Sequence, residues 1–240
     1  MTEGPIKLSP LYNVLRQAGG QFVIQGGWQV FDSLAVIEND PAIDYPGVYL
    51  VDESHRGKIM IHGEGGGQAV AALDVLPPQL PGQGVVKDAL SVYRLRPDQL
   101  FINMPPGAEL GIIDRLTNIL PTIAQLVTVT EVTHGRFQLR LIGPASPLVL
   151  GRLCGMDFHP EQFPNHTARQ TAVAKTTQLI IREDIDELIS YSIVGARSLA
   201  GYLWETMLDS GQDFGIRPAG QQFIRTMKRQ NENQSPVNLE

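Results

Sequence analysis

The sequence predicts an α+β fold built on antiparallel sheets, and three observations predict it. Strand-like segments come in pairs, and each pair is followed by a helix-like segment, without the strict strand–helix–strand alternation of a parallel sheet. The hydrophobic pattern switches between a period of two and the helical period along the chain. The nearest approach to a dinucleotide-binding turn, Gly63-Glu-Gly-Gly-Gly67, lacks the Gly-x-Gly-x-x-Gly spacing and the acid expected about 20 residues on. It reads as a Gly-rich turn capping a helix.

The elements follow in order. Ser9-Pro10 opens a first helix, with Pro in the first turn, and Gly19-Gly20 ends it. Phe22–Ile24 is a short strand, and Gly26-Gly-Trp28 follows it as a turn. Val48–Val51 and Lys58–His62 are strands split by the polar Asp52–Gly57. A helix runs from Gln68 to Leu73, and the Pro- and Gly-rich Leu76–Gly84 is a loop. Asp88–Leu95 and Gln99–Asn103 form a hairpin turned by Arg96-Pro-Asp98. Ala108–Leu120 is a helix with Leu110, Ile113, Leu116 and Leu120 on one face. Leu126–Val132 and Phe137–Ile142 alternate around the turn His134-Gly135. Ala145–Leu153 is helical, the chain is irregular through His166, and Ala172–Arg182 pairs with Leu188–Val194. A last helix spans Ser198 to about Ser210, and the polar stretch after Met227 lacks apolar periodicity and is expected to be disordered. No repeat of solenoid length is present.

Composition narrows the functions. A chain of 240 residues that is 42% hydrophobic supports one large domain or two small intertwined ones. Its net charge of −6 leaves no electrostatic footprint for nucleic acid. No apolar run reaches the roughly 18 residues that a membrane span needs, and the start lacks the character of a signal peptide. The expected setting is soluble and cytoplasmic, with no membrane or nucleic-acid partner. The single Cys154 excludes an internal disulfide and is read as a small core residue. The five histidines show no metal spacing, so no metal is expected, and no Gly-x-Ser-x-Gly elbow is present.

What stands out is a polar set, Asp52, Ser54, His55 and Asp88, beside the aromatic Trp28. Asp88 lies where the Gly-rich turn Gly82-Gln-Gly84 passes into a half-buried strand, a place where one carboxylate can meet a ligand's amine. If the strands carrying these residues share a sheet, their ends converge on one pocket. Each also has a plain structural reading: Trp28 as core, Asp52 and Ser54 as turn formers, His55 as a hydrogen-bonded loop side chain, Asp88 as a strand-end acceptor.

Six segments together resemble the folate-binding aminomethyltransferases, the T-proteins of the glycine cleavage system. They are Ser9-Pro-Leu-Tyr12 with Gly26-Gly-Trp28, Val51-Asp-Glu-Ser-His-Arg-Gly57, Gly84-Val-Val-Lys-Asp-Ala-Leu90, the strand end Asn103, Leu141-Ile-Gly-Pro-Ala145 and Arg217-Pro-Ala-Gly220. The resemblance covers roughly residues 8 to 224. It implies two interlocked antiparallel sheets with outer helices around a central cavity, the halves related by a pseudo-twofold; the family's C-terminal barrel is not expected here. The halves fall at residues 1–124 and 125–227, with 228–240 as a disordered tail. It also implies Asp88 as the catalytic acid, with Trp28, Ser54, His55, Asn103 and Tyr191 contacting a cofactor, tetrahydrofolate.

Departures from the family pattern shift the reading. Ser192 stands where the family's pterin-gripping glutamate belongs, Lys87 replaces the first acid of a pair, and Gln221-Gln-Phe-Ile-Arg225 displaces a late arginine. Asp157-Phe-His-Pro160, Ala168-Arg-Gln170 and Ala196-Arg-Ser-Leu-Ala-Gly-Tyr-Leu-Trp204 resemble the gamma subunit of heterotetrameric sarcosine oxidase, a barrel-less relative packed against flavin-bearing partners. The expected role is therefore an accessory or scaffold subunit in one-carbon or amine metabolism, partnered by flavoprotein oxidase subunits or by its own copies. The alternative is a minimal tetrahydrofolate-dependent aminomethyltransferase or folate-binding protein with Asp88 as its functional acid. A degenerate homologue holding another small ligand is the third reading.

Overall fold

A computed structural model describes residues 5–34 and 47–234. The chain opens with β1 (Lys7–Leu8), α1 (Tyr12–Gln17), β2 (Gly20–Gln25) and β3 (Trp28–Leu34). One series of elements then occurs twice. It first runs β4 (Val48–Asp52), β5 (Gly57–His62), α2 (Gly66–Ala71), β6 (Gly84–Lys87), β7 (Leu90–Arg96), β8 (Gln99–Met104) and α3 (Glu109–Ile119). It recurs as β9 (Thr128–Glu131), β10 (Arg136–Ile142), α4 (Ser146–Leu153), β11 (Thr167–Val173), β12 (Thr176–Arg182), β13 (Ser190–Ala196) and α5 (Ala200–Ser210). The chain closes on β14 (Ile216–Ala219) and α6 (Gln221–Gln234).

The two series exchange their first strands. β4 pairs with β10, Leu139 facing Asp52, and β9 pairs with β5, Ile59 facing Glu131. The result is a six-stranded sheet ordered β11-β12-β13-β10-β4-β14 and a five-stranded sheet ordered β6-β7-β8-β5-β9. A three-stranded sheet, β1-β3-β2, stands beside them. The interlocked sheets with outer helices are as expected, but they are not purely antiparallel. β14 runs parallel to β4 and β1 parallel to β3, because each returns to its neighbour after a long excursion through other elements.

Four local expectations need correction. Leu126–Val132 and Phe137–Ile142 are not a hairpin: β9 is a largely exposed sheet edge, whereas β10 is buried in the middle of the other sheet. Trp28 begins a strand, because Gly26 (φ +56°) and Gly27 (φ +77°) make the two-residue turn that pairs β2 with β3. Ala172–Arg182 is not one strand. It holds the turn of the β11–β12 hairpin, where Ala174 (φ +47°) and Lys175 (φ +64°) take left-handed conformations without the usual Gly or Asn signal. Residues 228–234, expected in a disordered tail, belong to α6; residues 235–240 lie outside the described residues.

Strand alternation assigns the two faces of each sheet. On β10, Leu139 and Leu141 join Val149, Leu150, Leu203 and Trp204 in a core under α4 and α5. On β5, Ile59 and Ile61 pack with Val70, Leu116 and Ile123 under α2 and α3. The opposite faces meet each other. Met60, Tyr93, Phe101, Leu179, Ile181 and Val194 fill part of that middle layer. The remainder of the layer is polar, and it holds the candidate site.

Candidate functional site

The polar layer is a consequence of period-two sequence. Gln138 and Arg140 alternate with Leu139 and Leu141 on β10, and Ser190 and Ser192 flank Tyr191 on β13, so both polar pairs face inward. Arg140 is the hub. Its Nε donates to Ser190 Oγ (2.6 Å), Nη1 to Glu53 Oε2 (3.4 Å) and Nη2 to the Glu183 carbonyl (2.6 Å). Glu183 Oε2 accepts from Tyr93 Oη (2.6 Å) and Ser91 Oγ (2.7 Å), which ties the five-stranded sheet to the six-stranded one. Gln138 Nε2 donates to Glu53 (3.2 Å) and Ser192 Oγ (3.3 Å), while its Oε1 accepts from Asn103 Nδ2 (2.9 Å). Arg56 Nε completes the chain on Asn103 Oδ1 (2.6 Å).

Charge follows geometry here. Burial pushes the Glu53 carboxyl up, but the Arg140 and Arg56 charges outweigh it and hold the group below its ordinary value. Glu183 is likewise pushed up by burial and brought below its ordinary value by Arg140 and by the bonds from Tyr93 and Ser91. The Tyr93 phenol is pushed well above its usual range by burial and by Glu183. Desolvation holds buried His55 down to about 4, so it is neutral at physiological pH.

Lys58, on β5, is fully buried, and its Nζ donates to the carbonyls of Ser54 (3.1 Å) and Arg56 (2.6 Å). Burial brings its pKa from 10.5 down to about 7. A lysine depressed in this way binds its proton better in the unfolded chain than in the folded one. Its protonation therefore costs stability, fully below pH 7 and progressively less as pH rises toward 10.5. The wild type is expected to gain stability over Lys58→Met across that window, as measured by urea unfolding at stepped pH. A constant difference would rule out a depressed Lys58.

The layer opens on a cavity of about 250 Å³, lined by Arg56, Asp88, Ser91, Arg140, Glu183 and Asp186 among others. Asp88 is at its mouth, exposed, in the turn between β6 and β7 rather than at the start of a strand. Its φ of +53° is a left-handed conformation that aspartate tolerates better than most residues. Lys87 turns the other way and donates to the Asp74 carbonyl.

The remaining candidates divide. Asn103, Ser54 and His55 are buried at the inter-sheet layer; the Ser54 hydroxyl bonds the Gln138 backbone, and its amide donates to Asp52 Oδ1 (3.0 Å). Asp52 also accepts from Ser9 Oγ, which ties the first segment to β4. Trp28 is not among the cavity's lining residues: it is fully buried on β3, stacked on His134 at 4.7 Å. Tyr191 faces the outer core, edge-on to Phe158 and Phe163, with its hydroxyl on the Phe158 carbonyl. Trp28 is thus in the core, as its plain reading has it, and Tyr191 packs in the outer core. Sequence reasoning missed Glu53, Arg56, Tyr93, Gln138, Arg140 and Glu183. The available signal was the polar alternation in Phe137-Gln-Leu-Arg-Leu141 and Ser190-Tyr-Ser192, inside strands that are otherwise apolar.

The GCVT N-terminal domain family matches residues 11–232 of the chain. An aminomethyltransferase of Desulforamulus reducens is 27% identical over 229 residues, 90% of this chain and 61% of that protein. The chain thus spans about three-fifths of the length of that curated relative. The sarcosine oxidase gamma subunit of Corynebacterium sp. (strain P-1) is 29% identical over 170 residues, 66% of this chain and 75% of that subunit. Two solved structures share the fold. The glycine cleavage system aminomethyltransferase of Bartonella henselae superposes with a TM-score of 0.74 at 18% identity, over 91% of this chain and 60% of that one. A chain of the heterotetrameric sarcosine oxidase of Corynebacterium sp. U-96 superposes at 0.68 with 20% identity, over 87% of this chain and 96% of that one.

Proposed function

The chain belongs to the GCVT N-terminal domain family, and from that premise we propose that it serves as an accessory subunit, a folate-type domain used as a scaffold beside flavoprotein oxidase subunits in amine or one-carbon metabolism. The observation that carries this reading is the saturation of the inter-sheet layer. Arg140 is committed to Glu53, Glu183 and Ser190, and Glu183 in turn to Tyr93 and Ser91. A ligand entering there must displace bonds that the buried groups already make to one another, and each displaced group carries a desolvation cost. The cavity's volume of about 250 Å³ is also below the roughly 300–1,000 Å³ of pockets for drug-sized ligands. Tetrahydrofolate, which the family implies, would have to compete with the Glu53–Arg140–Glu183 network to enter this layer. The near-complete overlap with one chain of a heterotetrameric oxidase supports the same reading.

One observation favours a second reading. Asp88 presents an exposed carboxylate at the cavity mouth, where it can meet an amine whose charge changes during one-carbon transfer. In that case the chain is a minimal tetrahydrofolate-dependent aminomethyltransferase and Asp88 its functional acid. Anaerobic calorimetric titration with tetrahydrofolate separates the two. The scaffold reading expects no saturable heat up to millimolar ligand. Micromolar binding that weakens in Asp88→Asn would replace it with the second. Co-expression with flavoprotein amine-oxidase subunits is expected to yield one complex on size exclusion; self-association alone, with the flavoproteins eluting apart, counts against the scaffold.

A further inference from the structure

The cavity at Asp88 holds a pair of opposite charges that the fold leaves unmatched. Arg56 and Asp88 both line this space of about 250 Å³, and no ion pair joins them among the described residues. The other charged lining residues are committed. Arg140 is held by Glu53, Ser190 and the Glu183 carbonyl, and Glu183 by Tyr93 and Ser91. Asp184 accepts from Arg182 Nη2 at 2.8 Å and from the Ser190 amide at 3.0 Å, and Asp186 is engaged as well. Arg56 differs. It is half-buried, and its Nε donates to Asn103 Oδ1, but its two Nη groups have no acceptor among the described residues. The exposed Asp88 carboxylate has no donor among them either.

Both groups are held in place by the fold. Asn103 Nδ2 is tied to Gln138 Oε1 (2.9 Å) and to the Gly57 carbonyl (3.2 Å), which fixes the oxygen that takes Arg56 Nε. The Arg56 amide donates to the Glu53 carbonyl at 2.9 Å, closing the turn between β4 and β5. With Nε used, the edge carrying both Nη groups is left for a bidentate contact, the geometry in which guanidinium meets carboxylate. On the other side, Asp88 and Ala89 form the two-residue turn closed by the Lys87–Leu90 pair. Lys87 is bound to the Asp74 carbonyl and does not compete for Asp88. Val86, Ala89 and Ile185 supply an apolar part of the lining. Opposite charges that face one small space without pairing suit a molecule that carries both in the complementary sense.

We propose that this cavity binds a small zwitterionic amino acid, its carboxylate on the Arg56 Nη edge and its ammonium on Asp88. The space is small for a drug-sized ligand but ample for an amino acid of a few carbons. Asp88 is common to this and to the second reading above, but no folate takes part, so either can fail without the other. L-alanine and β-alanine, which differ in the spacing of their charges, would be titrated calorimetrically, with propionate and ethylamine as half-ligands. The expected result is saturable binding of at least one amino acid with a Kd of about 1 mM or tighter, each half-ligand binding about tenfold or more weakly. In Asp88→Asn the amino acid should lose its advantage over propionate, and in Arg56→Met its advantage over ethylamine. Asparagine tolerates the left-handed turn, so Asp88→Asn keeps the test open even if Arg56→Met, which releases Asn103, does not fold. Arg152→Gln, which removes an exposed cation paired with Asp213, should bind as the wild type does. No saturable heat from either amino acid up to about 10 mM, equal affinity for amino acid and half-ligands, or unchanged binding in Asp88→Asn would each overturn the proposal.

Discussion

Arg140→Met is expected to destabilise the chain by about 3–5 kcal/mol, the cost of stranding a buried charge by removing its partner. Methionine restores most of the volume, so the loss isolates the electrostatics. Glu53, 3% exposed, keeps only the long Gln138 bond and the more distant Arg56, and Glu183 loses its guanidinium neighbour. The pH dependence has a definite sign. In the wild type both carboxyls are held below their ordinary value, so their stabilisation is present at neutral pH and is lost as pH falls below about 4.5. In Arg140→Met burial acts on Glu53 with less opposition, its pKa rises, and the group takes up its proton at a higher pH. The deficit relative to wild type therefore narrows in acid. Adding Glu53→Gln to Arg140→Met should recover a substantial part of the loss, because no uncompensated charge then remains at that position. Urea denaturation of the three proteins at neutral and acid pH measures all of this. A single-variant cost under about 1 kcal/mol would mean that the pair behaves as a surface ion pair and does not seal the layer.

The Arg140 network also shows where sequence reading succeeds and stops. Element type was legible wherever a period was sustained: β4, β5, β8, β10, α3 and α5 all come from uninterrupted patterns. The family resemblance rested on short motifs at strand ends and turns, and those positions hold the backbone where the fold needs it. Partner identity was not legible. Nothing in Leu126–Ile142 says that β9 and β10 enter different sheets, because the turn between them reads as an ordinary hairpin. The layer between the sheets was lost for the same reason. Glu53 and Arg140 are in separate halves of the sequence, and only the exchange of β4 into the six-stranded sheet brings them together. Trp28 and Tyr191 were no more legible in their placement: the first packs on β3 against His134 and the second faces the outer core from β13, and neither lines the cavity at Asp88.

The exchange itself rests on two equivalent glycines, and their substitution is expected to be nearly as costly as that of Arg140. Gly63 follows β5 and Gly143 follows β10; each accepts the amide three residues on, Gly66 or Ser146, to start its helix. Their φ values, +120° and +125°, match closely and are rarely adopted by residues with a side chain. Each also touches the segment that leads into the exchanged strand. A Cβ on Gly63 would be 2.0 Å from the Leu126 carbonyl oxygen, just before β9, and one on Gly143 would be 2.6 Å from the Gly47 carbonyl oxygen, just before β4. These contacts are with backbone, which cannot rotate away. Gly63→Ala and Gly143→Ala should each cost about 2–4 kcal/mol, the former more because its contact is shorter. Gly151→Ala is the internal control: it is within α4, nothing approaches its Cβ, and the helix should gain about 0.5–1 kcal/mol. Thermal unfolding of the three variants ranks them. If Gly63→Ala proved as mild as Gly151→Ala, the crossing would have to be held by strand pairing alone. If the ranking holds, two turns in the same place in each half keep the strands exchanged, and with them the contact of Glu53 with Arg140 in the layer between the sheets.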